Sequence, residues 1–223
     1  MVTLTVAQRV EEVRKRIAAA CLRAGRSPQE VTIVAITKGF PPQAIIEAWE
    51  AGIRHFGENR VQEAAIKIPQ VSHLSATWHM VGHLQTNKVK KALALFHTID
   101  SVDSFHLAQE ISKRAQSMVP ILLEVNVAGE ASKFGFTPQE VLREAERVAS
   151  LSHLDVRGLM TVAPLASHPE EVRPIFRRLR ELARALGLRE LSMGMSDDYE
   201  VAIEEGATMV RLGRAIFGPR PGP

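Results

Sequence analysis

The chain has 223 residues, 45% of them hydrophobic and 24% charged, with a formal net charge of +3. That balance is ordinary for a globular protein and argues against a strongly basic nucleic-acid binder. Its single cysteine, Cys21, excludes an intrachain disulfide, and no apolar stretch reaches the ~18 residues of a membrane span, so a soluble cytoplasmic protein with no membrane contact is expected.

An amphipathic helix is predicted over residues 6–24, where Val6, Val10, Val13, Ile17 and Cys21 share one face. Cys21 is therefore expected as a small core residue. After Gly25 and Ser27-Pro28 an alternation begins. Strands are predicted at 31–37, 53–56, 77–81, 98–101, 121–127, 156–162, 191–195 and 209–212, and helices at 42–51, 60–68, 88–96, 104–115, 138–151, 170–186 and 199–205. Strands alternating with helices argue parallel pairing, and eight is the number that closes a barrel. The expectation is an α/β fold, a single (β/α)8 TIM barrel with an extra N-terminal helix, occupying 1–223 as one domain. An open doubly wound sheet is the competing architecture. The basic run from Arg173 to Arg189 is interleaved with Leu and Ala at helical spacing. It reads as a solvated helix face, so no nucleic-acid partner is expected.

A barrel carries its chemistry at the carboxyl ends of its strands. Those ends read Lys38, Glu58-Asn59, His83 to Gln85, Asp103, Asn126, Met160-Thr161, Ser196-Asp197 and Gly213-Arg214. Singly, Asp103, Thr137 and Ser196 would serve as helix N-caps. Lys38 closes the run VTIVAIT (residues 31–37) and is the first charge after Glu30. Burial at a strand mouth disfavours an ammonium, and the neutral amine is the form that adds to a carbonyl, so Lys38 is a candidate for a Schiff base. The bland alternative is that it snorkels out of the strand end. GRAIFG (213–218) follows the last strand and MGMS (193–196) the one before. In barrels these two loops often hold a phosphate on backbone N–H groups. Gly213 lets an anion approach the backbone, and Ser196 offers a hydroxyl. A phosphate loop with an amine across the mouth suits a ligand with a phosphate at one end and an aldehyde at the other. Pyridoxal 5′-phosphate (PLP) has that shape.

Seven segments carry a family resemblance: AITK (35–38), HFGENRVQE (55–63), WHMVGHLQTNK (78–88), EVN (124–126) with Lys133, GLMT (158–161), LSMGMSDD (191–198) and VRLG (210–213) onward. In this order they resemble the pyridoxal phosphate homeostasis proteins, relatives of the barrel domain of alanine racemase. The resemblance runs from about Val31 to Gly218. It implies that Lys38 carries PLP as an internal aldimine and that Arg211 faces the pyridine nitrogen. It also implies that Ser196, Gly213 and Arg214 hold the phosphate, with Asn59 and His83 lining the pocket. The implied role is binding, buffering or delivering the cofactor, with no established turnover and with apo PLP-dependent enzymes as partners. Two positions depart from the pattern. Arg214 stands where the family often has Thr or Ser, which would add a charge-assisted phosphate contact or lose a hydroxyl. Phe134 follows Lys133 where a small residue is common.

Residue chemistry favours a carrier over a catalyst. An arginine only donates, so it keeps a pyridine nitrogen unprotonated and weakens the ring as an electron sink. Racemisation needs a second base, supplied in the racemase by a tyrosine from another domain. The one tyrosine here, Tyr199, is expected to pack on an apolar face, and the chain ends at Pro223. The competing reading is a small racemase or lyase of slow, broad activity. His83 is read as a pocket wall bonded to a backbone group, with a proton shuttle as the alternative. His79, upstream on the same strand and face, is read as structural. No metal is expected, and a barrel mouth without a lid domain is compatible with a monomer.

Overall fold

The computed structural model describes residues 4–220, so both ends of the 1–223 domain assignment lie outside it. Among the described residues eight strands alternate with helices: β1 (Thr32–Ile36), β2 (His55–Glu58), β3 (Thr77–Met80), β4 (Thr98–Val102), β5 (Val119–Glu124), β6 (Leu154–Met160), β7 (Glu190–Ser192) and β8 (Met209–Leu212). Every pairing is parallel, and the order β1 to β8 closes on itself. The closed barrel stands, and the open sheet does not. The helices are α1 (Val6–Arg23), α2 (Pro42–Glu50), α3 (Val61–Lys67), α4 (Val89–Leu95), α5 (Phe105–Arg114), α6 (Pro138–Ala149), α7 (Arg173–Ala185), α8 (Tyr199–Glu204) and a four-residue α9 (Arg214–Phe217).

Local chemistry explains the elements. Thr5 and Gln8 form a reciprocal capping box at the start of α1, and Thr137 with Glu140 does the same for α6. On α1 the stripe Val10, Val13, Ile17, Ala20 and Cys21 is buried, as its spacing predicts. Strands buried on both faces fill two layers. Val34, Leu122, Met160 and Met209 form the plug inside the barrel, while the larger cluster lies between strands and helices.

Strands β5 and β6 both start and end two or three residues earlier than predicted, and β2 and β7 shift for local reasons. Predicted at 53–56, β2 is found at His55–Glu58, because buried Ile53 packs in the core that also holds the α1 stripe. Strand β7 stops at Ser192 rather than 195, since Gly194 turns the chain at φ +97°. A Cβ there would meet Ala202 Cβ at 2.6 Å and Tyr199 Cα at 2.9 Å, so α8 packs directly on that turn.

An ionic lattice ties the first helix to the last repeat. Arg16 and Arg23 of α1 pair with Glu200 and Glu204 of α8. Arg173 at the start of α7 reaches Glu204 at 2.6 Å and Glu205 at 3.2 Å, and Arg177 reaches Glu205 at 3.1 Å. Part of the basic run is thus engaged by acids of α8 and the residue after it. No described helix is long and apolar enough to cross a membrane.

Candidate functional site

Lys38 lies just past β1, at the mouth, in a turn that continues through Gly39. It shares a cavity of about 370 Å³ with Asn59, from the end of β2, and His83, from the loop after β3. Arg60, Gln85 and Lys88 also line it, and among the described residues no carboxylate does. Gly82 makes this meeting possible. A Cβ on it would fall 2.2 Å from Asn59 O, so only glycine lets the two loops touch backbone to backbone.

His83 differs from expectation. Strand β3 ends at Met80, so His83 belongs to the following loop and does not share a strand face with His79. Its partner is a side chain rather than a backbone group, with Nδ1 2.8 Å from Asp103 Oδ2. Asp103 is therefore not the cap of α5; Ser104 is, accepting from Leu107 N–H at 3.1 Å. Phe134 stacks on the His83 ring, 3.7 Å between centroids and 10° from parallel. That stack is the local consequence of placing an aromatic after Lys133.

Ser196, Gly213 and Arg214 do not line this cavity. They gather at the ends of β7 and β8, where Ser196 Oγ accepts from Ala215 N–H at 3.1 Å. Ser196 thus holds the start of α9, an element the sequence pattern did not reveal, rather than capping α8. Strand β8 is the hydrogen-bonded neighbour of β1, with Val34 opposite Arg211 and Ala35 opposite Leu212. The phosphate-type loop is consequently beside Lys38, not across the mouth from it. A Cβ on Gly213 would come no nearer than 3.5 Å to Ile36 O, so packing within the protein does not demand glycine there. The guanidinium of Arg214 is exposed and paired with Asp197 rather than waiting free for a phosphate.

Arg211 is buried, in register with plug residue Val34. It donates to Ser192 Oγ at 2.8 Å and to Thr161 O at 2.7 Å, both neutral acceptors. Burial pulls its pKa down, while Glu124, Asp100 and Asp198 around it hold the charge on. Glu124, the last residue of β5, carries the largest consequence. Burial, and next the charge of Asp103, push its pKa up to about 7, against the pull of Arg211. Sequence reasoning quoted Glu124 only as part of a motif. The signal available was an acid ending an otherwise apolar strand; its neighbours come from other repeats.

A second polar cluster sits at the opposite, amino-terminal end of the barrel. His55 Nδ1 lies 2.9 Å from His79 Nε2, and His79 Nδ1 lies 2.8 Å from Asp100 Oδ2. Thr98 Oγ1 donates to the other carboxylate oxygen at 2.7 Å. Burial, then the neighbouring His79, lowers the pKa of His55. Cavities of about 440 and 380 Å³ open on this floor. Among the described residues no group of three His, Cys, Asp or Glu is placed to hold a metal ion.

Comparison with known proteins follows the same lines. The family model described as "Alanine racemase, N-terminal domain" matches residues 10–221. A pyridoxal phosphate homeostasis protein of Aquifex aeolicus is 43% identical over 97% of this chain and 99% of its own length. The chain belongs to the pyridoxal phosphate homeostasis protein family. The structure of PipY from Synechococcus elongatus with PLP bound is 39% identical, with a TM-score of 0.80 over 92% of this chain and all of PipY. An alanine racemase of Clostridium difficile shares the fold, with a TM-score of 0.74 at 14% identity, and this chain spans 56% of it.

Proposed function

We propose that this chain is a cytoplasmic PLP-binding protein serving vitamin B6 homeostasis, with the cofactor held covalently by Lys38. The observation that supports it most is the position of Lys38: in the mouth cavity, one strand from Arg211 and Gly213, in a chain 39% identical to PipY, which has been solved with PLP. The residues fit the group, because the cavity offers amines, a guanidinium and amides with no opposing carboxylate. When bound, PLP supplies an aldehyde and an electron-withdrawing ring. Lys38 Nζ adds to the aldehyde carbon and the carbonyl oxygen leaves as water, so a C=N bond replaces C=O. Ser196, Gly213 and Arg214 receive the phosphate, Arg214 turning from Asp197 to do so. Asn59 and His83 wall the pocket, and Asp103 fixes the His83 ring.

The same reading makes the protein a monomeric carrier of one functional unit, with apo PLP enzymes as recipients and no turnover of its own. Arg211 has donors and no acceptor, so a ring nitrogen placed against it stays unprotonated. Tyr199 supports this too. It is 1% exposed in the core, with Arg16 over its ring, and its hydroxyl is buried without a partner, away from the mouth cavity. Burial pushes its pKa up to about 12, unsuited to a second base near neutrality.

Borohydride treatment of the PLP-loaded protein should leave the pyridoxyl mass on the peptide bearing Lys38, and Lys38→Ala should lose it. A label on another lysine ends the assignment. Brisk exchange of amino-acid α-protons in deuterated water would replace the carrier with a slow racemase or lyase.

A further inference from the structure

Helix α3 carries a buried cation that the site as described does not use. Lys67, its last residue, is 8% exposed at the side chain and spends all three ammonium protons. One goes to Thr37 O at 2.6 Å, one to Glu58 Oε1 at 2.9 Å and one to Glu63 Oε1. Glu63 Oε1 also accepts the Gly39 N–H at 2.7 Å. Thr37 and Gly39 are the two residues flanking Lys38. Each member of one ion pair therefore grips the backbone on one side of that lysine. Thr37 is fixed further by its N–H to Gly57 O at 3.0 Å and its hydroxyl to Glu58, and Gly39 holds φ +77°. Neither Lys67 nor Glu63 lines the mouth cavity.

We propose that the Glu63–Lys67 pair is a positioning clamp for Lys38, acting through the two peptide groups that flank it. The inference rests on the reading of Lys38 as the cofactor lysine. A turn held at only one end would let the amine swing, and displacement of a reacting atom by about 1 Å is enough to cost ~100-fold in rate. Burial of a charged triad is costly unless each proton has a partner. Here the ammonium is fully satisfied, while Glu58 Oε2 is buried without one. Direct packing of apolar residues would close α3 on β1 at lower cost, but would leave the Gly39 N–H ungripped.

The test compares Glu63→Ala, Glu63→Gln and Lys67→Met with a distant core variant, Val148→Ala on α6. The apo proteins are followed by amide hydrogen exchange at Gly39, and all are timed for borohydride-trapped pyridoxyl label on Lys38 at fixed PLP. Glu63→Ala should speed Gly39 exchange about tenfold and slow Lys38 labelling about tenfold. Glu63→Gln, which keeps the acceptor, should stay within about threefold of the parent on both. Val148→Ala should lose stability yet move neither. If Glu63→Ala leaves both rates within about twofold, or Val148→Ala reproduces its effect, the pair is structural ballast and the proposal fails. Should Lys67→Met not fold, the Glu63 pair of variants decides alone. Labelling of the parent away from Lys38 would overturn the cofactor reading, and Gly39 exchange would still report whether the grip exists.

Discussion

The two ends of this barrel are both polar and differ in what their polar groups have found. At the floor, His55, His79, Asp100 and Thr98 are linked in one hydrogen-bonded chain. At the mouth Glu58 and Glu63 are taken by Lys67, and among the described residues no carboxylate lines the cavity that holds Lys38. The larger void is at the floor. Size therefore does not locate the chemistry here. An amine whose neighbours are already committed does.

Changes at the buried residues that join the two ends should have the largest effect. Arg211→Glu would set a fourth acid among Asp100, Glu124 and Asp198, and should cost about 3–5 kcal/mol in urea unfolding, enough to prevent folding in many backgrounds. A variant that folds with the parent's urea midpoint would show that the interior is wetter than its burial implies. Arg211→Glu is therefore no clean probe of ring electronics. His79→Ala is next. It strips one partner from Asp100 and should cost about 2 kcal/mol while leaving the Lys38 labelling rate unchanged. A fall in labelling would mean that the two ends are coupled.

Glu124 sharpens the comparison through pH. Its folded pKa of about 7 stands above its unfolded value near 4.5, so the folded state holds a proton that the unfolded chain releases. Its favourable contribution is complete below about 4.5 and is lost as pH rises through about 7. Glu124→Gln should remove that slope, making the variant on the order of 2 kcal/mol more stable, relative to the parent, at pH 8 than at pH 4. Parallel stability profiles would refute the raised pKa. The smallest effect belongs to Phe134→Ala. Unstacking it from His83 should change stability by less than about 0.5 kcal/mol and hasten cofactor exchange at the mouth, read by release into an apo acceptor. An unchanged release rate would leave Phe134 a surface ornament.

The fold was legible because each repeat states itself locally: apolar strand, polar end, amphipathic helix. Lys38, Asn59 and His83 could be placed at the mouth by counting strand ends. What escaped depends on neighbours from other repeats. Lys67 looks like a surface lysine at the end of α3 until β1 and β2 close over it. Glu124 owes its proton to burial and, next, to Asp103 from β4's loop, against the pull of Arg211 on β8. Histidines 79 and 83 seemed to share a strand because nothing in WHMVGHLQ marks Met80 as its end; the turn is set by Gly82 lying on Asn59. The neighbourhood of Lys38 and Gly213 follows from closure, which a linear reading does not display.

That seam has a consequence during synthesis. Strand β1 is hydrogen-bonded to β8, the eighth barrel strand in chain order, and α1 is bound through Arg16 and Arg23 to the acids of α8. Until some two hundred residues have emerged, the nascent chain exposes one edge of the Lys38 strand and a helix lacking its counter-charges. A ribosome-stalled fragment that lacks β8 should therefore stay colourless when PLP is added.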